Sequence, residues 1–449
     1  MRSRHLIPVV LPVLLLARTS NAQLSDTGPR PSNRTEQRVS LRASVVTGYG
    51  DNLTSDGTGA LSYPRGYIGT SDAALTYSIG RASRSLEVNG RGLVNAYPNT
   101  GVRPSYGAGL GVSGRTLIGR RNELAGSQNG QYDPFFPLGA LGPAGSDAGT
   151  GVPDSDPANV LADRRLLTTS SVVSLTRHWT RRTTTDLRYS LVRQTFAGRG
   201  ESDGPGGSDG RTHAGSLAID SALGRNGGVR ATFQQSDARF VQSDGGTLPT
   251  RSRGVDLGFR YGRALSRTRG IALSGGIGAA QVDTIDVVTR EGLRSAIPSG
   301  YGTISIDLGP SWAIAADYRR SVSMLHGSIS SEPFVAHEGT IRAGGPLTPR
   351  LRGGVTASYS NGLTLRESGE GPGRYDLYRG TAHVEFRLTA WWSAVVRVNH
   401  YRHHANSVGG ESLGLAPTMH RNAVTAGFTW VFPPEAAPSR RRARSAERN

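Results

Sequence analysis

Residues 422–432 read NAVTAGFTWVF, and this stretch decides the fold because apolar residues recur at every second position. Successive side chains of an extended strand point to opposite faces. One face of this strand therefore carries mainly large apolar side chains, namely Val424, Ala426, Phe428, Trp430 and Phe432. The other face carries small and mostly polar ones, namely Ala423, Thr425, Gly427, Thr429 and Val431. This pattern predicts a strand with lipid on one side and water on the other.

The same alternation recurs upstream, in runs of about ten residues from residue 38 onward. The runs are joined by turns that are alternately short and long, which is typical of outer-membrane barrels with short periplasmic turns and long external loops. The predicted external loops are 197–210, 242–250, 287–298, 363–375 and 403–420. Counting back from 422–432, the direction of each strand requires a separate strand near residues 123–132, after a turn at 119–122. The direct count is 18, and the sequence thus predicts an all-β fold, a transmembrane antiparallel β-barrel of about 16–18 strands.

Composition limits the other classes of protein. The 449 residues include 61 glycines, no cysteine and only 36% hydrophobic residues, which argues against a two-domain enzyme with large apolar cores. Without cysteine there are no disulfides and no thiolate metal sites. The net charge is +18, and all 52 residues counted as lysine or arginine are arginines, which are spread along the chain. We therefore expect no nucleic-acid partner, no cofactor, no metal and no enzymatic activity.

The N-terminus predicts secretion. Residues 1–22 combine Arg2 and Arg4 with an apolar run at 6–17 and a small-x-small site that ends at Ala22, as in a signal peptide. Beyond it no window approaches the apolar length of a spanning helix, so a membrane form must be a closed barrel. The predicted organisation is a signal peptide at 1–22, a short periplasmic segment at 23–37, the barrel at 38–432 and a basic disordered periplasmic tail at 433–449.

The last strand also resembles the C-terminal assembly signal of bacterial outer-membrane β-barrels. The resemblance rests on Thr425, Gly427, Trp430 and Phe432, while the tail 433–449 departs from the family habit of ending at the terminal aromatic residue. It implies insertion by the barrel-assembly machinery into the outer membrane of a Gram-negative-type bacterium. Outer-membrane lipid and lipopolysaccharide are then the surrounding partners.

Charged residues of the alternating runs fall opposite the apolar ones. A charge on the lipid face costs about 2 to 4 kcal/mol at the midplane, so these side chains are expected to face the lumen as pairs across neighbouring strands. Pairing alone would stiffen the wall, whereas rings with excess arginine favour an anion-preferring pore. The predicted lumen charges are Arg188, Arg230, Arg260, Arg319, Arg342, Arg352, Arg379, Arg387, Arg397, Asp186, Asp256, Asp307, Asp317, Glu338 and Glu385.

Several other motifs have weaker support. The G-x-S-x-G pattern around Ser412 and the G-x-G-x-x-G pattern at 109–114 both lack the helix that their chemistry needs. His400, His403 and His404 are spaced loosely for a metal site. The basic run 440–444 is interpreted as tail. The long stretch 133–161, rich in glycine and proline, is either a mobile external loop or an inward-folded constriction.

Two functions remain open at the level of sequence. The first is a porin-like channel for small anionic or sugar-like solutes, with an Arg-rich lumen. The alternative is a surface or exopolysaccharide-export-accessory barrel that binds polysaccharide rather than conducting solutes.

Overall fold

The structure is a computed structural model that describes residues 35–51, 65–81, 83–98, 104–133, 136–137, 160–162, 165–197, 209–241, 247–266, 268–285, 292–309, 311–324, 333–368, 371–406 and 418–433. Within these ranges the chain forms 20 strands. They are β1 (Glu36–Gly50), β2 (Gly66–Arg81), β3 (Arg84–Ala96), β4 (Ser105–Ile118), β5 (Asn122–Asp133), β6 (Phe136–Pro137), β7 (Val160–Ala162), β8 (Arg165–His178), β9 (Thr183–Ala197), β10 (Asp209–Ala222), β11 (Gly227–Val241), β12 (Thr247–Ala264), β13 (Arg269–Ile285), β14 (Gly292–Leu308), β15 (Ala313–Met324), β16 (Pro333–Pro346), β17 (Leu351–Ser368), β18 (Gly371–Arg387), β19 (Trp392–Ala405) and β20 (Thr418–Phe432).

Eighteen of these strands form one antiparallel sheet that closes on itself. Each strand pairs with its neighbours in chain order, with one exception. Strand β5 pairs directly with β8, because the intervening β6 and β7 form a separate two-stranded sheet. Closure occurs between the first and last strands, where Leu41 pairs with Phe432 and Gly50 pairs with Ala423. A closed sheet leaves no edge, so every strand satisfies its backbone hydrogen bonds on both sides.

The two ends of the barrel differ in their connections. At one end, called here the short-turn end, eight connections of two to four residues join β2–β3, β4–β5 and the later hairpins through β18–β19. Four of these turns use a hydroxyl in the same way: Thr180, Ser266, Thr348 and Thr389 each accept a hydrogen bond from the backbone N–H three residues later, at 3.0 to 3.1 Å. Ser and Thr stabilise tight turns by such local bonds. The opposite end is called the long-connection end.

The predicted strand count and the extra strand are confirmed. The barrel has 18 strands, and β5 occupies Asn122–Asp133, close to the predicted 123–132. Its turn contains Gly119 with a φ of 72°, a conformation that favours glycine. Strand β1 begins at Glu36, two residues before the predicted start of the barrel.

Several strands extend further than the sequence suggested. Residues 363–375 were expected to be an external loop, but β17 and β18 continue as a hairpin to Ser368 and Gly371, with a register irregularity after Leu363. Likewise β14 already begins at Gly292, within the expected loop 287–298. Two paired strands satisfy each other's backbone groups in water as well as in lipid, so apolar alternation marks only their membrane-embedded part. The signal peptide 1–22, nearly all of segment 23–37, and the tail beyond residue 433 lie outside the described residues.

Candidate functional site: the inward face of the barrel

The outer face of the barrel is a continuous apolar band. Alternate positions on the strands carry large hydrophobic side chains that are strongly exposed, such as Leu110 at 61%, Leu257 at 62% and Ile277 at 78%. An exposed apolar surface of this extent indicates contact with lipid rather than water. No helix in the described part of the chain is long and apolar enough to cross a membrane.

Aromatic residues border the band at the short-turn end. All five tryptophans of the chain lie there, at positions 179, 312, 391, 392 and 430. Phe432 stacks on Trp391 at a centroid distance of 5.6 Å and on Trp430 at 6.4 Å. The guanidinium of Arg177 lies 3.8 Å from the ring centroid of Trp179. Trp prefers the membrane–water interface because its ring is apolar and its N–H is polar.

The opposite, inward face is defined by strand register. Residues directly paired across neighbouring strands share a face. Once one residue is known to point inward, the pairings therefore show which residues of every other strand point inward. All of the predicted lumen charges occupy inward positions: Arg188, Arg230, Arg260, Arg319, Arg342, Arg352, Arg379, Arg387, Arg397, Asp186, Asp256, Asp307, Asp317, Glu338 and Glu385. Of the predicted assembly residues, Thr425 and Gly427 are on this inward face, and Trp430 and Phe432 are on the outer one.

Between β9 and β16 the inward charges are balanced and paired. Asp220 forms ion pairs with two arginines, since its carboxylate lies 3.9 Å from a nitrogen of Arg230 and 3.8 Å from one of Arg260. Arg342 forms an ion pair with Asp317. This half of the wall has five inward arginines against six carboxylates, Asp186, Asp220, Asp256, Asp307, Asp317 and Glu338. The near balance leaves little net field there.

The wall from β17 to β20 is different. Over the continuous register of these strands the inward positions include one carboxylate, Glu385, and five arginines: Arg352, Arg379, Arg387, Arg397 and Arg421. We call these five residues the arginine sector. From β1 to β8 the inward charges are again mixed, with Glu36, Asp72, Glu87, Glu123 and Asp133 against Arg38, Arg42, Arg91 and Arg115. Positive charge is therefore concentrated in one part of the wall, where it attracts anions.

The arginine sector continues into a buried aromatic group toward the long-connection end. Tyr401 is paired in register with Arg379 on one side and Arg421 on the other. Its hydroxyl is 3.1 Å from Nδ1 of His403, and Tyr375 lies on the neighbouring strand β18. Arg421, with 1% of its surface exposed, is the largest fully buried side chain described. Tyr375, Tyr401 and Arg421 therefore present almost no open surface at this end of the sector.

The weaker sequence motifs do not form sites in the described residues. Strand β19 reaches Ala405, and its alternation places His400 and His404 outward but His403 inward, so the three imidazoles cannot converge on one metal. In the described ranges no group of three potential metal ligands occurs. Residues 109–114 belong to β4, which leads to a turn and another strand rather than a phosphate-binding helix. Ser412 and the run 440–444 lie outside the described residues.

Closure, the lipid-facing band and the tryptophan border together decide the class of protein. The chain is an 18-stranded transmembrane β-barrel. No protein-family model matches the sequence, and no match is found among curated proteins.

Solved structures similar to this barrel include OpdK from Pseudomonas aeruginosa with vanillate, at 10% identity and a TM-score of 0.45, covering 88% of this chain and 98% of OpdK. OccK5 (OpdH) from the same organism is 12% identical with a TM-score of 0.45, over 88% and 98% of the two chains. OccAB3 from Acinetobacter baumannii is also 12% identical, with a TM-score of 0.45 over 88% and 99%.

Several inward residues that the barrel brings together were not among those predicted from the sequence. Asp220 lies in β10, which has few large outward residues, so its alternation is weak. Tyr375, Tyr401 and Arg421 were missed because the strands were expected to end before or near them. Tyr378 and Val398 point outward on the same strands. Because faces alternate, residues three positions away point inward, and this rule identifies Tyr375 and Tyr401.

Proposed function

We propose that the protein is a passive outer-membrane channel for small organic anions, and that the arginine sector of β17–β20 selects them. The single observation that carries the proposal is the ratio of five arginines to one carboxylate on that part of the inward face, beside a wall that is otherwise balanced. A local excess of fixed positive charge raises the concentration of anions and lowers that of cations.

The proposal includes the placement of the chain in the cell. Cleavage after Ala22 would release a secreted barrel whose short-turn end and residues 433–449 remain in the periplasm. The assembly machinery would read Thr425, Gly427, Trp430 and Phe432 in β20. The closure geometry supports a role for this strand, since β20 must pair with β1 to close the barrel.

The test is ion selectivity of the purified full chain in planar bilayers. Wild-type protein in a salt gradient is expected to give a reversal potential of the sign that reports anion preference. The triple substitution Arg379→Gln, Arg387→Gln and Arg397→Gln should shift that potential toward cation preference. A matched triple substitution of three outward arginines near the short turns, Arg81→Gln, Arg263→Gln and Arg269→Gln, should leave it unchanged.

Two outcomes would contradict the channel. Equal selectivity of wild type and the sector variant would show that these arginines do not control permeation. Absence of conductance from a folded protein that binds acidic or neutral polysaccharide would instead favour the accessory barrel that binds without conducting.

A further inference from the structure

Three arginines form one row on the outer face of the barrel. Arg193 of β9 pairs in register with Arg211 of β10, and Arg211 pairs with Arg239 of β11. All three are exposed and lie toward the long-connection end of their strands. Directly paired residues on neighbouring strands have Cβ atoms about 4.5–5.5 Å apart, so three like charges lie close together.

The outward carboxylates beside this row are Asp209, two residues from Arg211, and Asp237, two residues from Arg239, and neither forms an ion pair with the three arginines in the described structure. Among the residues that the structure describes, Arg193, Arg211 and Arg239 have no ion pair or hydrogen bond through their guanidinium groups. Like charges placed directly opposite each other in a sheet destabilise it. The row therefore has an electrostatic cost that an external anion would remove.

The adjacent row shows what a compensated arrangement looks like. Asp237, Arg251, Asp283 and Arg294 follow one another in register across β11 to β14, with alternating sign. Nitrogen Nε of Arg251 lies 2.6 Å from the Asp237 carboxylate, and Nε of Arg294 lies 3.5 Å from that of Asp283. The carboxylates of this row thus form ion pairs with Arg251 and Arg294 and not with Arg193 or Arg211.

Toward the short turns the outer face passes through two mixed rows, Leu191–His213–Asp237 and Tyr189–Gly215–Gln235, and then becomes apolar. Leu191 is the next outward residue of β9, and Leu217 and Phe233 occupy outward positions of β10 and β11 nearer the short turns. Leu217 and Phe233 are exposed, at 40% and 46%. The outer face of β9–β11 therefore combines a cationic upper row with an apolar lower surface, which matches the two halves of an anionic lipid.

We propose that Arg193, Arg211 and Arg239 bind the phosphorylated headgroup of a lipid in the leaflet next to the long connections. Guanidinium groups bind phosphate through two parallel hydrogen bonds, and a phosphate monoester offers three acceptor oxygens and nearly two negative charges. The acyl chains of the same lipid lie on Leu191, Leu217 and Phe233. The site is outside the barrel and separate from the arginine sector of the lumen.

The experiment uses the purified full chain in detergent micelles supplied with an equimolar mixture of phosphatidic acid and phosphatidylcholine. Native mass spectrometry then measures which lipid stays bound. Wild-type protein is expected to retain phosphatidic acid in preference to phosphatidylcholine. The triple variant Arg193→Gln, Arg211→Gln and Arg239→Gln should lose about tenfold of that preference, the change that 1.4 kcal/mol represents.

Controls separate the site from general charge. The outward triple variant Arg81→Gln, Arg263→Gln and Arg269→Gln removes the same charge at the short-turn end and should keep the wild-type lipid ratio. The single substitution Arg211→Gln, in the middle of the row, tests the proposal with a smaller change in case the triple variant folds poorly. Arg211→Lys should retain part of the preference because the charge remains.

Three results would overturn the proposal. One is an unchanged lipid ratio in both the triple variant and Arg211→Gln. Another is an equal loss in the short-turn control, which would indicate a response to net charge alone. The third is stabilisation by inorganic phosphate that equals that of phosphatidic acid and depends on the same three arginines, which would identify a free-anion site.

Discussion

Gly427 of β20 faces Val46 of β1 across the barrel closure, and a Cβ atom on Gly427 would lie only 2.7 Å from the Val46 Cα. The neighbouring pair is equally tight, since a Cβ on Gly48 would lie 2.8 Å from the Cα of Thr425. The first and last strands therefore meet where both have glycine on the inward face. A side chain there would force apart the two backbones that close the barrel.

Gly427→Val should weaken the closed barrel. Overpacking of this kind costs about 1–3 kcal/mol, and here it acts on the backbone of the facing strand. Urea unfolding in lipid vesicles measures the loss. Gly262→Val is the matched control, because Gly262 also faces inward, a Cβ on it meets no atom within 4 Å and β12 is away from the closure. Equal stability of the two variants would show that the close approach is unimportant.

The assignment of faces predicts unequal losses of stability when arginine replaces an outward or an inward residue of the same strand. Ile277→Arg places a charge in the lipid-facing band and should cost about 2–4 kcal/mol if it is near the midplane. Ala272→Arg on the same strand faces the lumen and should cost less than half as much. Both are measured by urea unfolding in vesicles. Similar losses would contradict the inward and outward phases derived for β13.

The carboxylate of Asp220 partly neutralises Arg230 and Arg260. Asp220→Asn should increase anion preference, because the positive charges of two arginines in the lumen are no longer neutralised by a carboxylate. The increase is measured as a shift in reversal potential. Stability should change by less than about 1 kcal/mol, since both arginines are well exposed and such pairs are weak. Asp237→Asn, on the outer face, should leave selectivity unchanged. A shift of the same size from Asp237→Asn would contradict this placement.

A packed ring on the inward face gives a further prediction. Tyr301 lies over Gly276 and Gly258, and a Cβ on Gly276 would come within 2.9 Å of its Cζ atom. Gly276→Ala should therefore destabilise the barrel by about 1–3 kcal/mol, and much of this loss should disappear in a Tyr301→Ala background. A double-mutant cycle from urea unfolding gives the coupling. Additive losses would show that the tyrosine moves aside without cost.

The aromatic contact at the closure is also measurable. Trp391 and Phe432 stack with an interplanar angle of 21°. Replacing each by alanine, alone and together, should give a coupling of about 0.5–1.5 kcal/mol. The pair Trp312 and Trp391, on β14–β15 and β18–β19 turns, is the control and should be additive. No coupling between Trp391 and Phe432 would mean that the stack adds nothing beyond area buried in the bilayer.

The fold was largely predictable because a barrel in lipid has few solutions. The alternation of Val424, Phe428 and Trp430 in β20, combined with strict up-and-down order, predicted the strand count and even β5, where the alternation itself is faint. The same rule predicted inward phases for residues such as Arg260 and Glu385. Strand ends were less predictable, because lipid imposes alternation only within the membrane and β17 and β18 continue beyond it.

The candidate site was only partly predictable. Charges on clearly amphipathic strands were found, but Asp220 in the weakly patterned β10 was not. The distribution of charge around the wall, balanced on one side and arginine-rich on the other, depends on which strands are neighbours at closure. The outer arginine row likewise arises from register, since Arg193, Arg211 and Arg239 are far apart in sequence and have no common motif.

All five tryptophans lie at one end of the barrel, so their intrinsic fluorescence reports how the protein is oriented in a membrane. Their emission reports a single membrane interface, because the described long-connection end has tyrosines such as Tyr49 and Tyr67 but no tryptophan. Brominated lipids confined to one leaflet should thus quench the fluorescence strongly from one side of a vesicle and weakly from the other. Barrel orientation in a reconstituted bilayer can be measured this way without attaching any label.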